Sequence, residues 1–399
     1  KIGLNALEID ILLLLVLVKQ VSIMRMTDYY FGALNKKQFG HAVATLLGAD
    51  NKAVEAALSA SGRLLKTSIV FIHEERVELA EKFDFVRDFD VFISDELKTT
   101  AQMMEHFINS VDTAALTIND FAHIANELDY LLPYLKKALA KGVKGCNVLL
   151  YGAPGTGKTE LAKTLAHSLG VTLYEVKTAG SDHEPISAIA RLESYNAGCH
   201  LLEPNGQHML LFDEMEDVMP QPDSGDKKVP RSKVWFNRLL EQNPIPTIWT
   251  SNQVYCIDNA YLRRFDIVLE MTAPSRQQRF KFWQRACKAP DFKDSWLKQV
   301  SVHLPLPPSE MDRIARVVNM ASSRSKSQQH ARQLISHSYK AATGRTARWP
   351  VLADKHVVLP YKLSWLNTDS DIDSMVKAIS QHQRGKLCLY GPPGCGKTQ

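Results

Sequence analysis

The sequence predicts an α/β fold built on a parallel sheet, with a helical lid after it and a small winged-helix-like domain before it. Short apolar runs typical of buried strands recur between residues 147 and 271, and helical stretches separate several of them. Residues 274–343 show helical patterns only, as expected of a lid packed beside such a sheet. At 399 residues, the chain is long enough for two or three domains.

Changes in sequence pattern along the chain give the expected domain boundaries. We expect a winged-helix-like domain over residues 1–90, a helical connector over 91–140, a large α/β subdomain over 141–273, a helical lid over 274–343, a linker over 344–360 and the start of a second module over 361–399.

The N-terminal domain is predicted from the order of its elements. Predicted helices over Leu4–Val18, Lys37–Leu47 and Asn51–Leu58 precede two short predicted strands, Ser68–Ile72 and Arg76–Leu79. Two helices joined by a turn and followed by a β pair have the order of a winged helix.

The longest apolar run in this domain is too short to cross a membrane. Ile11–Val18 has eight apolar residues, whereas a membrane span needs about 20. Glu8 and Asp10 stand where a signal peptide would be basic, so we expect a buried helix. Because the chain begins with Lys1 and not with Met, we expect the natural N-terminus to lie upstream.

Composition indicates an ordinary soluble protein of a reducing compartment. The net charge of +5 is too small for this length to argue for nucleic acid or an acidic membrane as partner. The six cysteines are scattered, with no CxxC pair and no histidine at metal-ligand spacing. We therefore expect reduced thiols and a cytoplasmic location.

A glycine-rich loop follows the apolar strand Asn147–Tyr151 and matches the pattern G-x-x-x-x-G-K-[ST]. Its residues are Gly152, Ala153, Pro154, Gly155, Thr156, Gly157, Lys158 and Thr159. The glycines allow backbone N–H groups to point at phosphate oxygens, and the following helix, Glu160–Leu169, presents its positive end to the same charge. Lys158 would reach the β- and γ-phosphates, and the Thr159 hydroxyl would ligate Mg²⁺.

Polar residues follow two further strands of the predicted sheet. The strand His208–Phe212 ends in Asp213 and Glu214, and Thr247–Thr250 is followed by Ser251 and Asn252. Asp213 is then placed to hold Mg²⁺ and Glu214 to polarise the attacking water. Asn252 is placed to bond the γ-phosphate or that water. Without other motifs, polar residues at these positions often do no more than end a strand. The glycine-rich loop earlier in the chain is the reason to expect a nucleotide-binding site here.

Arg263 and Arg264 precede the last apolar strand and have two interpretations. Adjacent arginines are usually surface cations in ion pairs. They can also be arginine fingers that enter the site of a neighbouring subunit and neutralise charge in the transition state.

The order and spacing of these motifs resemble the AAA+ ATPase family, and its AAA-type branch most closely. The motifs are the glycine-rich loop, the acid pair, the asparagine and the arginine pair, and the resemblance covers residues 120–340. The resemblance implies that Gly152–Thr159 is the first Walker motif and Asp213 with Glu214 the second. It implies that Asn252 is sensor 1 and that Arg263 and Arg264 are fingers acting in trans. It also implies ATP and Mg²⁺ as cofactors, and a ring, usually a hexamer, with ATP at subunit interfaces.

Two features depart from the family pattern. Many members that thread polypeptide carry an aromatic pore loop after the second strand, whereas the corresponding stretch here, Gly180–Ile186, has no aromatic residue. Threading is therefore not expected. For the sensor-2 arginine, Arg332 is only a weak candidate.

The glycine-rich loop occurs a second time at the end of the chain. The copy consists of Gly391, Pro392, Pro393, Gly394, Cys395, Gly396, Lys397 and Thr398. It lies about 240 residues after Gly152, and a repeat at domain length indicates a tandem array. No acid pair follows it, so we expect a second nucleotide-binding module that is cut short, poorly anchored from about residue 357 and unable to hydrolyse ATP.

The sequence thus favours an ATPase that remodels a protein client as part of a ring. The first alternative is a DNA-linked regulator that reads a duplex with its winged helix. The helix Asn51–Leu58 has one lysine and one glutamate, which does not favour groove reading, although Lys36, Lys37, Arg63 and Lys66 lie near it in sequence. The second alternative is an assembly protein that binds nucleotide and hydrolyses it very little.

Overall fold

The computed structural model divides the chain into two compact units, residues 1–347 and 348–399. The residues that the structure describes are 3–25, 28–86, 89, 100–180, 184–202, 205–219, 233–287, 292–304, 306–321, 326–346, 349 and 371–382. In the second unit the described residues contain one helix, Ile372–His382. The second glycine-rich loop, at 391–398, lies outside the described residues.

The strands of the first unit form two sheets. In chain order they are β1 (Val70–Ile72), β2 (Phe83–Phe85), β3 (Ile108–Ser110), β4 (Asn147–Tyr151), β5 (Thr172–Val176), β6 (His208–Phe212), β7 (Thr247–Ser251) and β8 (Ile267–Glu270). The strands β1 and β2 pair antiparallel. The larger sheet has the order β3-β5-β6-β7-β4-β8, in which β3 is antiparallel to β5 and all other neighbours are parallel.

Helices surround this sheet on both faces and follow it in the chain. The described helices of the first unit are Ala6–Gln20, Ser22–Arg25, Asp28–Phe31, Lys36–Leu47, Asn51–Ala57, Arg63–Lys66, Thr100–Phe107, Ala125–Lys141, Lys158–Leu169, Ala188–Leu201, Lys233–Gln242, Asn259–Leu262, Arg276–Ala286, Asp294–His303, Pro308–Ala321 and Ser327–Thr343. Short 3₁₀ helices cover Ile118–Ile124, Met215–Val218 and Val254–Cys256.

The predicted α/β class with a mostly parallel sheet is confirmed. The strands predicted between residues 147 and 271 are β4 to β8, each within one residue of its predicted end. The residues described between 274 and 346 contain helices and no strand, as predicted for a lid. None of the helices described is long and apolar enough to cross a bilayer.

The central strands β4, β6 and β7 are largely apolar because both faces of the sheet are buried there. Side chains alternate between two cores. One core, shared with the N-terminal helices and the β1–β2 pair, contains Leu149, Leu210, Phe212 and Trp249. The other, covered by the helices Ala125–Lys141 and Lys158–Leu169, contains Val148, Leu150, Met209, Leu211 and Ile248. Burial on both faces fixes the register of these strands and therefore where each one ends.

In the N-terminal part, the helices lie where predicted and one strand does not. The predicted strand Arg76–Leu79 is wrong, because these residues form a loop and β2 lies at Phe83–Phe85. The loop is held by Lys82, a fully buried residue whose Nζ donates to the carbonyls of Glu74 (3.0 Å) and Arg76 (2.6 Å). The strand β3 was also not predicted. The winged-helix assignment stays a prediction.

One histidine makes the stability of the fold depend on pH. His200 lies at the end of the helix Ala188–Leu201, and its ring bonds the backbone of Lys66 in the N-terminal part. Burial lowers the pKa of His200 from 6.5 to about 4, and the charges of Lys66 and Lys144 act in the same direction. The unfolded chain therefore takes up this proton first as the pH falls.

We expect His200→Gln to reduce the acid sensitivity of folding. The pKa of His200 is lower in the folded protein than in the unfolded chain. The contribution of the uncharged His200 ring to folding stability is therefore present above pH 6.5 and is lost as the pH falls from 6.5 to 4. The loss is about 3 kcal/mol, from about 1.36 kcal/mol per pKa unit. Urea unfolding at pH 7 and at pH 4 measures it. The exposed His167→Gln should behave like wild type, and equal pH slopes for wild type and His200→Gln would contradict the assignment.

Candidate nucleotide-binding site

The glycine-rich loop connects β4 to the helix Lys158–Leu169 and packs closely on its surroundings. Gly152 has φ +146°, and a Cβ there would lie 2.4 Å from the carbonyl oxygen of Met271. At Gly155, with φ +76°, a Cβ would lie 2.1 Å from the Ser309 hydroxyl of the lid. These two positions require glycine, both for the backbone conformation and for the close approach.

Lys158 is buried inside the loop that precedes it. Its Nζ donates to the carbonyls of Gly152 (2.7 Å) and Ala153 (3.1 Å) and to Oδ1 of Asn252 (2.9 Å). Burial lowers the pKa of the Lys158 ammonium, against the opposing effect of nearby carboxylates, of which Glu216 contributes most. The cation is thus held at the end of the sheet by neutral oxygens.

Asp213 lies directly after β6 and faces the start of the helix Lys158–Leu169. The Thr159 hydroxyl lies 3.3 and 3.2 Å from its two carboxylate oxygens. The Thr250 hydroxyl donates to Oδ1 of Asp213 and accepts from the backbone N–H of Glu214 (3.0 Å). Sequence reasoning missed Thr250. The signal available was a hydroxyl at the end of an apolar strand, two residues before Asn252.

Glu214 adopts a left-handed backbone conformation, with φ 53° and ψ 62°. Burial raises the pKa of its carboxyl, and the neighbouring carboxylates Asp217, Asp213 and Glu216 act in the same direction. The side chain lines the same cavity as Asp213.

Asn252 follows β7, which lies between β6 and β4 in the sheet. Its side-chain oxygen accepts from Lys158, and its backbone N–H donates to Oε1 of Glu216 (3.0 Å). The strand order therefore brings the asparagine between the glycine-rich loop and the acid pair.

These residues line one cavity of about 770 Å³. Phe121 and His123 from the 3₁₀ helix Ile118–Ile124 contribute to its wall, and Arg285 contributes from the lid. The Arg285 guanidinium lies 2.5 Å from the Asp120 carboxylate, which ties the lid to that segment. Sequence reasoning did not single out these residues, because they come from elements far apart in the chain. Arg332 is absent from the described lining.

Neither arginine of the pair contributes to the described lining of this cavity. Arg263 is exposed at the end of the helix Asn259–Leu262. Nε of Arg264 lies 2.6 Å from a carboxylate oxygen of Glu241. Both interpretations of the pair, surface cations or fingers for another subunit, are compatible with this position.

The donor atoms near the loop suit a hard cation. Thr159 and Asp213 offer hydroxyl and carboxylate oxygens, the ligand type that Mg²⁺ prefers, and Mg²⁺ usually completes its shell with water and substrate phosphates. Within the described part of the chain, no group of three or more His, Cys, Asp or Glu forms a metal cage. The residues therefore fit a magnesium ion that arrives with a nucleotide.

Part of the chain is similar to known proteins. Residues 148–273 match the family model described as ATPase family associated with various cellular activities (AAA). The proteasome-activating nucleotidase of Archaeoglobus fulgidus is 32% identical over 184 residues, 41% of this chain and 45% of that protein. The cell division control protein 48 homolog B of Arabidopsis thaliana is 25% identical over 284 residues, 63% of this chain and 46% of that protein.

A search of solved structures finds C. elegans PCH-2, with a TM-score of 0.41 and 17% identity, over 54% of this chain and 69% of that one. The chain spans about half the length of the curated relatives described above. Over residues 148–273 the chain is therefore similar to the AAA ATPase family.

Proposed function

We propose that this chain binds ATP with Mg²⁺ and hydrolyses it to ADP and phosphate at the cavity around Gly152–Thr159. The observation that carries the proposal is the convergence of a buried lysine, a hydroxyl and two carboxylates on one cavity beside a glycine-rich loop. Each of these groups has a separate task in phosphoryl transfer.

Binding rests on the loop and on Lys158. The Lys158 ammonium is already removed from water and donates to carbonyl oxygens. A phosphate group can take the place of those neutral acceptors and form a stronger, charge-assisted hydrogen bond. Thr159 and Asp213 would hold the magnesium ion, which neutralises charge on the β- and γ-phosphates. The start of the helix Lys158–Leu169, with its positive dipole end, would also attract the negative charge of the nucleotide.

Hydrolysis rests on Glu214. Its carboxylate lines the cavity and would accept a proton from the water that attacks the γ-phosphorus, while the bond to the β-phosphate oxygen breaks. The raised pKa of Glu214 makes it a better proton acceptor than an ordinary surface carboxylate. Asn252, between the lysine and the acids, would orient the water or the γ-phosphate.

We further propose that the module works in a ring, by family precedent a hexamer, with Arg263 and Arg264 completing the site of the neighbour. A role in trans requires such a position, outside the described lining of their own cavity. A protein client fits better than DNA, since the exposed positions of the helix Asn51–Ala57 carry Lys52 and Glu55 but no basic cluster. Steeply salt-dependent duplex binding would favour the DNA alternative.

A cytoplasmic location is part of the same proposal. Cys146, Cys199 and Cys287 are free and buried, as expected in a reducing compartment. Burial raises the pKa of the Cys199 thiol to about 12, which keeps it protonated and unreactive.

We expect Lys158→Ala to abolish ATP binding at this site. The substitution removes the only cation that the structure seats inside the loop, among the residues it describes. Equilibrium binding of labelled ATP with Mg²⁺ measures the effect, and we expect at least about a 100-fold weaker Kd, from the strength of charge-assisted phosphate contacts. The matched control is Lys163→Ala, one turn further along the helix, where the lysine pairs with Glu160. If both variants bind like wild type, the proposed site is wrong.

A further inference from the structure

Arg191 is a buried guanidinium beneath the acid pair. It lies in the first turn of the helix Ala188–Leu201 and is 3% exposed. Its Nη2 donates to the carbonyl oxygen of Asp213 (2.6 Å), and its Nη1 lies 3.2 Å from the carboxylate of Asp217. The guanidinium carbon lies 4.7 Å from the centre of the Phe212 ring.

The two polar contacts of Arg191 flank Glu214. One is to the carbonyl of the residue before it, and the other is to the 3₁₀ helix Met215–Val218 that follows it. Glu214 has the left-handed conformation, which costs about 1–2 kcal/mol for a residue with a Cβ. Such a conformation persists only when its surroundings hold it. Arg191 is placed to supply that restraint.

An arginine at this buried position reduces the folding stability that an apolar side chain would provide. Its Nε has no hydrogen-bond partner among the described residues, and burial lowers the pKa of the guanidinium. A buried charge often contributes less to stability than an apolar residue of similar size would. A role beyond packing therefore explains the guanidinium better than packing alone.

We propose that Arg191 is a positioning residue for hydrolysis: its fork holds the Asp213 carbonyl before Glu214 and the Asp217 side chain after it, and so fixes where the Glu214 carboxylate stands in the cavity. This inference rests on the proposed role of Glu214. Arg191 is absent from the described lining of the cavity, so it acts through Glu214 and not on the nucleotide.

Two substitutions of Arg191 distinguish the effect of its hydrogen-bonding geometry from the effects of its charge and its size. Arg191→Lys keeps the charge but lacks the planar fork that bonds two acceptors at once, and Arg191→Met keeps the packing on Phe212. For both variants we expect kcat to fall about 10- to 100-fold, the size of effect that follows from displacing a catalytic group by about 1 Å. The Kd for ATP should change less than about threefold, because Lys158 is untouched. A merely structural role would weaken ATP binding and thermal stability along with kcat.

The decisive measurement is single-turnover hydrolysis of bound ATP in a double-variant cycle. If Arg191 acts through Glu214, Arg191→Lys should slow the wild type and have no further effect in the Glu214→Gln background. Equal losses in both backgrounds, or a wild-type kcat for both Arg191 variants, would overturn the inference.

A second variant covers the case in which Arg191 variants fail to fold. Asp217→Asn removes one anchor of the fork at a side chain that is 57% exposed, so folding should survive. We expect a smaller fall in kcat, about three- to tenfold, with ATP affinity kept, and no fall would contradict the inference. If Glu214→Gln itself hydrolyses ATP like wild type, the proposed function fails and not only the role of Arg191.

Discussion

Replacing Arg263 or Arg264 with alanine is expected to slow ATP hydrolysis by about 10³–10⁵-fold, the range known for arginine fingers. The effect is expected for the arginine of the pair that acts as the finger. That range corresponds to about 4–7 kcal/mol of transition-state stabilisation. ATP binding should be kept, because neither side chain contributes to the described lining of the chain's own cavity. Steady-state phosphate release at saturating ATP measures the effect. Arg316→Ala, an exposed arginine of the lid, is the control and should stay at the wild-type rate.

Action in trans gives this prediction a sharper test. The Lys158→Ala protein lacks a working site but has its arginines, and the arginine variant has a working site but lacks its finger. If fingers act on the neighbour, mixing the two inactive proteins should restore part of the activity, since some interfaces then join an intact site to an intact finger. A mixture as inactive as its components would contradict action in trans. An arginine pair that serves only as surface cations would give changes of less than about fivefold.

Glu214→Gln is expected to leave ATP bound and uncleaved. Glutamine has the same shape but cannot accept the proton of the attacking water, so kcat should fall about 10²–10⁴-fold, the usual contribution of a general base. The Kd for ATP should stay near the wild-type value, because Lys158, Thr159 and Asp213 are unchanged. Single-turnover measurement on a preformed ATP complex separates the two effects.

The control for this variant is Glu55→Gln, which removes an exposed carboxylate from the N-terminal helix Asn51–Ala57. It should hydrolyse ATP at the wild-type rate. Loss of ATP binding in Glu214→Gln would mean that the carboxylate supports the site structurally, and its role as a base would then be wrong.

The sheet and the residues at its strand ends could be predicted from sequence because burial of the central strands β4, β6 and β7 on both faces leaves a strong signal. Each strand from β4 to β8 is short and rich in apolar residues. Because these strands are parallel, the residues after each of them must lie at the same edge as the loop after β4. This geometry brings Asp213 and Asn252 to the glycine-rich loop without any knowledge of side-chain contacts.

What could not be predicted depends on contacts between distant segments. The strand β2 was misplaced because residues 76–79 have strand-like composition, while the buried Lys82 holds them as a loop. Arg191 and Thr250 were missed because one lies in a helix and the other inside a strand, and only the fold shows that both bond Asp213. The pairing of Arg285 with Asp120 joins residues 165 positions apart.

The most direct test of the central claim is steady-state phosphate release from ATP with Mg²⁺ by the whole chain, measured beside Lys158→Ala and Glu214→Gln at several protein concentrations. We expect wild-type turnover well above that of both variants, and a turnover per chain that rises with protein concentration as subunit interfaces form. Wild-type turnover no higher than that of either variant would contradict the claim that this site hydrolyses ATP.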